Sequence, residues 1–249
     1  MSDRAVSEVI SYVLVFGLIV SAVGIISVSG LDTLQDRRDA EQLDNAERAF
    51  NVMADNVADI HRRGAPSRAT EINLGTAELT SGSNVTMQVE IEETTGGWDT
   101  VVNQPLRPIV YNGEDERELV YEGGAVFRTS ADSGLVAQNP PFIVDEDRVF
   151  LPIIRLNSPG SQTLGGSTVL VRTREQGTDL SYNDTQNNVE RVRLTIRDSE
   201  QQSLWNDYLT EQGFDCDSFS DRVECTFNPG TTIDRVFVVD YDIAVTIEP

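Results

Sequence analysis

The sequence from Val9 to Leu31 reads VISYVLVFGLIVSAVGIISVSGL and contains no charged residue, although Glu8 and Asp32 stand directly on either side of it. A helix of about 20 apolar residues crosses the hydrocarbon core of a bilayer, which is about 30 Å thick. Helices can do so because they pair their own backbone polar groups, which lipid cannot hydrogen-bond. The stretch therefore predicts a single membrane-spanning helix over residues 9–31.

Three kinds of N-terminal segment compete as interpretations of this stretch. A cleaved signal peptide has a shorter apolar core followed by a small-residue cleavage site, whereas the polar sequence LDTLQDRRDAEQLDNAERAF begins here at Leu31. A bitopic anchor would keep the whole segment in place. In the third kind a peptidase cuts near Ala5, and the end of the hydrophobic helix becomes the new N-terminus, since only Asp3 and Arg4 add charge ahead of Glu8.

An amphipathic pattern continues the helix beyond the membrane. Apolar residues recur at alternating spacings of three and four, which gives one apolar stripe along a helix. This stripe comprises Leu43, Ala46, Phe50, Met53, Val57 and Ile60. The sequence predicts a helix over 6–63, with a stalk over 32–63, that Gly64 and Pro66 end. The stripe could pack on another copy of the helix or on the outer domain of the same chain.

After Pro66 the apolar residues alternate with polar ones, which is typical of half-buried strands. Alternating or short apolar runs occur at 85–91, 119–121, 125–128, 149–156, 168–172, 192–196 and 236–247. Turn pairs such as Gly96-Gly97, Asn112-Gly113, Gly123-Gly124, Gly165-Gly166 and Pro229-Gly230 separate them. Many short strands with such turns favour an antiparallel β-sheet or β-sandwich domain over 67–249.

One short helix is expected among the strands, from about Glu200 to Gln212. Ser199 and Gln202 have the spacing of a capping box, and Gly213 would end the helix. The predicted fold class is therefore α+β. A long N-terminal transmembrane and amphipathic α-helix precedes an antiparallel β domain that contains one short helix.

The charge balance is strongly acidic. The chain has 41 Asp and Glu residues against 19 basic ones, a net charge of −22, and every basic residue is arginine. At molar salt the Debye length is about 3 Å, so neighbouring carboxylates no longer repel each other strongly. This composition predicts a protein adapted to concentrated salt, with an ordinary acidic protein as the alternative. It also argues against nucleic acid as a partner, because phosphate binding requires a basic surface.

Motifs that would indicate catalysis do not occur in the sequence. The single histidine, His61, lies on the predicted stalk, so a Ser-His triad in the outer domain is excluded. No phosphate-binding or calcium-binding loop pattern is present. Asp145-Glu146-Asp147 and the pair Asp240 and Asp242 could hold a cation, with a solvated turn and a polar strand face as the alternative. We expect that the protein is not an enzyme and binds no cofactor. The alternative is a pair of carboxylates that act as acid and base, which a sequence alone does not reveal.

Two kinds of covalent modification are expected in the outer domain. Cys216 and Cys225 are close in sequence, and on a domain outside the cell they predict a disulfide. Zinc is disfavoured because His61 is far away in sequence. The triplets that begin at Asn84 and Asn183 match the acceptor pattern for N-linked glycans.

The N-terminal sequence RAVSEVISYVLVFGLIV, Arg4 to Val20, resembles archaeal type IV pilin-like proteins, especially those of halophiles. Those proteins commonly open the apolar helix with a VSPVIG-type sequence. This chain shares Val6, Ser7, Val9 and Ile10, but has Glu8 where proline is usual and Ser11 where glycine is usual. The resemblance implies a 1–5 leader removed by a prepilin peptidase beside Ala5, with Arg4 and Val6 flanking the processing site. It also implies export of the C-terminal domain and helices that bundle into a filament.

The resemblance also implies roles for single residues. A glutamate near the mature N-terminus of pilins is thought to neutralise a neighbour's α-amino group, and Glu8 is the candidate here, with a hydrated residue at the membrane surface as the alternative. Gly17 and Gly24 could let neighbouring helices approach closely. The expected partners are membrane lipid, the prepilin peptidase and other pilin-like subunits.

Three functions follow from these observations. The first is a pilin-like cell-surface subunit for filament assembly and adhesion, single-pass in the cell membrane with its C-terminal domain outside. The second is a bitopic envelope protein whose outer β domain binds a ligand or partner without polymerising. The third is an anchored glycosidase- or peptidase-like enzyme, which would need converging carboxylates in a deep pocket.

Overall fold

The computed structural model describes residues 3–114, 116–131, 133–158, 163–166 and 168–249. Within the first range, the side chains of residues 3–9, 28–33, 35 and 36 lie outside the description. The chain forms two compact units, Met1–Gln42 and Leu43–Pro249. Helix α1 runs from Asp3 to Arg63, so its first part belongs to one unit and its last part to the other.

The described strands form three sheets, numbered here along the chain. The first sheet has the order β1 (Ser67–Asn73), β12 (Thr168–Asp184), β16 (Arg235–Glu248), β10 (Arg148–Asn157) and β9 (Ile143–Asp145). The second has the order β11 (Thr163–Gly165), β2 (Glu78–Ser81), β5 (Ile109–Asn112), β6 (Glu118–Glu122), β7 (Ala125–Ser130) and β8 (Ser133–Gln138). The third has the order β14 (Asp215–Ser218), β15 (Arg222–Phe227), β13 (Val189–Arg197), β3 (Val85–Glu93) and β4 (Trp98–Leu106).

The predicted α+β class is confirmed, with one difference in the sheets. Strands β10 and β16 pair in parallel, with Arg148 opposite Arg235 and Asn157 opposite Ala244, whereas the other described strand pairs are antiparallel. A parallel pair needs a long crossover between its strands, and here β11, β12, the strands β13 to β15 and α2 all come between β10 and β16 in the chain. Sequence periodicity carries no information on such a distant pairing.

The apolar stripe of α1 packs on strands of its own unit. Its six residues, Leu43 through Ile60, are at most 4% exposed and share one core with residues of the first two sheets. The ring of Phe50 meets the ring of Tyr111 edge to face, with centroids 6.4 Å apart. Of the two partners that the sequence left open, the structure shows the domain of the same chain.

A second core lies on the other side of the second sheet. Along β6, Leu119 and Tyr121 point into the core beneath α1, while Val120 points into the second core with residues of the third sheet and α2 (Gln202–Glu211). The second sheet is therefore buried on both faces. Trp205 of α2 fills the second core, and its ring lies 5.2 Å from that of Phe127.

The predicted capping box at the start of α2 is wrong. The helix begins at Gln202, its N-cap is Gln201, and no side chain caps it. The hydroxyl of Ser199 accepts a hydrogen bond from the backbone N–H of Gln201 and donates one to Glu122 of β6. A buried carboxylate from a strand distant in sequence has taken the hydroxyl that local spacing assigned to the helix.

Candidate functional site

The first candidate site is the apolar surface of α1. The window Ile10–Ser27 is long and apolar enough to cross a membrane, and none of it is buried inside the protein. Its large side chains, such as Val13, Leu14, Phe16 and Leu18, are each more than half exposed. So large an exposed apolar surface needs lipid or another apolar surface to cover it. A membrane anchor and a signal sequence both meet this description.

The two glycines predicted to assist helix contacts face open space. A Cβ atom added at Gly17 or Gly24 would meet no heavy atom within 4 Å. Both therefore leave shallow places on an otherwise bulky apolar surface. The predicted processing and assembly residues at the start of α1 are Arg4, Ala5, Val6 and Glu8. Their backbone is helical, and their side chains fall outside the described part, as do Met1 and Ser2.

The second candidate site is a cavity of about 530 Å³ in the unit Leu43–Pro249, called the strand-rich unit below. Its floor is the face of the second sheet on which Thr80, Val110 and Val120 lie side by side. Its walls come from the segment before β3, the connection between β4 and β5, and the segment 198–201 ahead of α2. The cavity volume falls within the range of about 300–1,000 Å³ that is usual for small-molecule sites.

A buried carboxylate lies at one end of this cavity. The Glu122 side chain is only 1% exposed, and both the Ser199 hydroxyl and the Trp205 indole N–H donate to its Oε1 atom, each at 2.7 Å. Among the described residues no donor reaches Oε2. Burial raises the pKa of Glu122 to about 7, the two hydrogen bonds oppose this rise, and the charge of Glu200 adds to it.

Three further carboxylates line the cavity, those of Glu118, Asp198 and Glu200. Glu118 lies four residues before Glu122 on β6, on the same face, and Glu200 comes from the opposite wall. Burial raises the pKa of Glu118, and the nearby charges of Glu200 and Glu116 raise it further. The charge of Glu200 therefore raises the pKa of both glutamates of β6 that line the cavity.

Three of the predicted cation candidates, Asp145, Asp240 and Asp242, are paired with protein groups instead. Arg155 of β10 donates to Asp240 at 2.6 Å and approaches Asp242 at 3.6 Å, and Asn157 also donates to Asp242. Parallel pairing of β10 with β16 brings these groups together, because Asp240 and Asp242 face Ile153 and Arg155 in the register. Asp145 forms an ion pair with Arg148 at 2.9 Å. No group of three or more potential metal ligands converges among the described residues.

The expected disulfide is present between Cys216 of β14 and Cys225 of β15. The two cysteines face each other in the register of these antiparallel strands, so the pairing of the strands sets the bond. Both acceptor asparagines are exposed: Asn84 lies just before β3, and Asn183 lies near the end of β12. The side-chain oxygen of Asn84 accepts a hydrogen bond from Arg107 at 2.9 Å, at the rim of the cavity.

Sequence reasoning did not identify Glu122, Glu118 or Glu200 as site residues. They come from positions far apart in the chain, and a chain with 41 acidic residues offers many equivalent candidates. A weak signal existed in β6, where Glu122 ends a run of apolar residues directly before the Gly123-Gly124 turn. A carboxylate in such a run is unusual, because burying an ionised group is costly unless it is paired.

These features define a class of protein with an exposed apolar N-terminal helix segment, a helix-covered α+β unit and an acidic cavity in that unit. Within this class the chain belongs to DUF7289, a family of unknown function, whose family model matches residues 4–246. The matched region includes both the apolar segment and the strands. No curated protein matches the chain. No solved structure matches it either.

Proposed function

We propose that the chain is a type IV pilin-like cell-surface subunit. A prepilin-type peptidase removes the leader beside Ala5, and α1 then holds the protein in the membrane or in a filament. The strand-rich unit lies outside the cell and makes surface contacts. The protein acts in filament assembly and adhesion, and not in catalysis.

The observation that carries this proposal is the contrast between the exposed window Ile10–Ser27 and the buried stripe of the same helix. A signal sequence is discarded, and the folded domain gains nothing from it. Here the helix runs on from the apolar window, and the stripe on its last part is buried in one of the two cores of the strand-rich unit. The family match, which starts at residue 4, also favours an apolar segment that remains with the domain.

The acidic composition supports an environment of concentrated salt. The net charge of −22 with arginine as the only basic residue gives carboxylates that salt must screen. We expect the full chain in detergent to unfold or aggregate when salt is removed. Full stability in dilute buffer, measured by circular dichroism, would contradict this part of the proposal.

Mass spectrometry of the N-terminus of the native protein tests processing. We expect a start immediately beside Ala5. A start at Met1 or Ser2 removes the basis for peptidase cleavage, and a start beyond Gly30 shows a discarded signal sequence. Arg4→Glu should block cleavage because Arg4 flanks the predicted processing site, whereas Arg37→Glu makes the same charge change on an exposed part of α1 and should leave cleavage intact.

Isolation of cell-surface filaments, with peptide identification, tests assembly. Peptides from this chain in the filaments, lost in a strain that carries Arg4→Glu and kept in one that carries Arg37→Glu, would support the proposal. Processed protein that stays in the membrane fraction without filaments would favour the second function, a bitopic envelope protein. The acidic cavity is the specific observation on the side of that function, because it is a site that a ligand could occupy.

A further inference from the structure

We infer that the cavity between the second sheet and the segment 198–201 binds an extended organic cation of the polyamine class. The inference stands on the strand-rich unit alone and holds whether or not the chain assembles into filaments. Polyamines are flexible aliphatic chains with ammonium groups separated by several carbon atoms. Each ammonium group donates hydrogen bonds and carries positive charge, which is the chemistry that buried carboxylate oxygens require.

The charge of the lining selects a cation. Among the described residues, four carboxylates line the cavity, those of Glu118, Glu122, Asp198 and Glu200, against the one guanidinium of Arg107. The Arg107 guanidinium donates a hydrogen bond to Asn84 at 2.9 Å, and its one positive charge can offset only one of the four carboxylates. A bound cation would relieve the repulsion between Glu200 and the two glutamates of β6, which raises the pKa of both.

Glu122 gives the cavity a built acceptor. Its side chain is buried, its Oε1 atom is fixed by Ser199 and Trp205, and Oε2 stays available to a ligand. The two donors hold the carboxylate in one orientation, so a ligand does not have to order it. The indole that fixes it belongs to a ring packed in the second core, which makes this end of the cavity rigid.

The spacing of the carboxylates argues for an extended ligand. Glu118 and Glu122 are separated by four residues of one strand, which is about 13 Å at about 3.3 Å per residue. A single metal ion binds oxygen atoms at about 2.0–2.6 Å and could not use both. Within the described residues no group of three or more potential metal ligands converges, in agreement with this spacing. A chain with two or more ammonium groups can reach both ends.

The remaining lining fits the carbon chain between the ammonium groups. Val110 and Val120 lie in the middle of the floor, beside Thr80, and between the two glutamates of β6 along the strand direction. Methylene groups of a polyamine would cover these valines, while hydroxyl and amide groups at the rim contact water. The cavity thus has polar ends and an apolar middle, as a polyamine has.

Isothermal titration of the full chain in detergent with spermidine tests the inference, at the lowest salt that keeps the protein folded. We expect one site per chain. Triethylene glycol, a neutral chain of similar length, should not bind. Glu122→Gln keeps the Oε1 acceptor but removes the charge, and Glu200→Gln changes an exposed residue whose loss does not threaten folding. Each should raise the Kd for spermidine at least about tenfold, because each removes a charged acceptor for an ammonium group.

Glu146→Gln is the matched control, because Glu146 is exposed, lies in the turn between β9 and β10 and does not line the cavity. It should change the Kd by less than about twofold. Equal weakening by all three variants would show general attraction to an acidic surface and overturn the site. Absence of spermidine binding would overturn it too. Binding of Ca²⁺ alone, weakened by Glu122→Gln, would mean that the cavity is a metal site and the ligand class is wrong.

Discussion

The first and last parts of α1 have the same secondary structure and opposite surroundings. From Ile10 to Ser27 the helix is apolar on every face and wholly exposed. From Leu43 to Ile60 it is apolar along one stripe, and that stripe is buried against strands. A helix that is apolar all round needs an apolar medium on all sides, whereas a stripe needs one packed surface.

The two parts of α1 also differ in their tertiary contacts. The buried part is held by the core and by polar contacts with the strands. Arg68 of β1 bonds to Asp59, and Asn56 bonds to Thr70 of the same strand at 2.9 Å. The exposed window has its stacked aromatic pair Tyr12 and Phe16 but no tertiary core.

Replacement of one phenylalanine in each part should have very different effects on folding. Phe50→Ala removes a fully buried ring from the core beneath α1 and should lower the free energy of unfolding by about 3–5 kcal/mol. Phe16→Ala, at a residue 58% exposed, should change it by less than about 0.5 kcal/mol. Denaturant unfolding of the full chain in detergent measures both. Equal effects would show that the buried stripe does not hold the core together.

An arginine placed in each part should separate lipid from water. Leu18 and Val52 are 64% and 52% exposed, so the two side chains are similarly uncovered by the rest of the protein. If the first lies in lipid, Leu18→Arg should cost about 2.5–3.5 kcal/mol of insertion, while Val52→Arg at a water-facing site should cost almost nothing. Membrane fractionation of cells measures the difference. Unchanged membrane association of Leu18→Arg would contradict the anchor.

Acid should lower the free energy of unfolding through a histidine on the buried part of α1. Burial and the charge of Arg62 lower the pKa of His61 from 6.5 to about 4, against a hydrogen bond with the carbonyl of Val57, and Tyr241 packs on the ring. Between these pH values the unfolded chain binds the proton and the folded chain does not, so stability falls as the pH falls from 6.5 to 4.

His61→Gln removes this titration. We expect the difference in unfolding free energy between pH 7 and pH 5 to shrink by about 1 kcal/mol in the variant, allowing for solvent screening of a partly exposed ring. Thermal unfolding of both proteins at the two pH values measures it. An identical pH dependence in the two proteins would show that His61 does not couple folding to protons.

The smallest effect concerns ion pairs across the same interface. Arg128 of β7 reaches Asp44 at 3.2 Å and Glu47 at 2.7 Å on α1. Arg128→Gln should lower the free energy of unfolding by about 0.5–1 kcal/mol, and added salt should reduce this loss. Arg172→Gln is the control, because its exposed partner Glu248 is 3.6 Å away on β16 and not on the helix. A larger loss in the control would contradict an ionic contribution to helix packing.

Much of the fold could be predicted from the sequence because it depends on local periodicity. The stripe that ends at Ile60 and the alternation in β3 and β16 indicate which residues face a core. The capping role given to Ser199 failed because Glu122, distant in sequence, offers its hydroxyl a buried acceptor. The cation site predicted at Asp240 and Asp242 fails for the same reason, because Arg155 of the parallel neighbouring strand lies beside both carboxylates.

Order along the chain thus specifies where α1 is apolar, which segments alternate as strands, and that two nearby cysteines can join. These are properties of residues that are close in sequence, and they can be recognised within a single helix or strand. The partner of the stripe, the parallel pair of strands and the acidic cavity arise from contacts between residues far apart in the chain. Such contacts depend on how whole sheets pack, since burial and charge are set by every surrounding group at once.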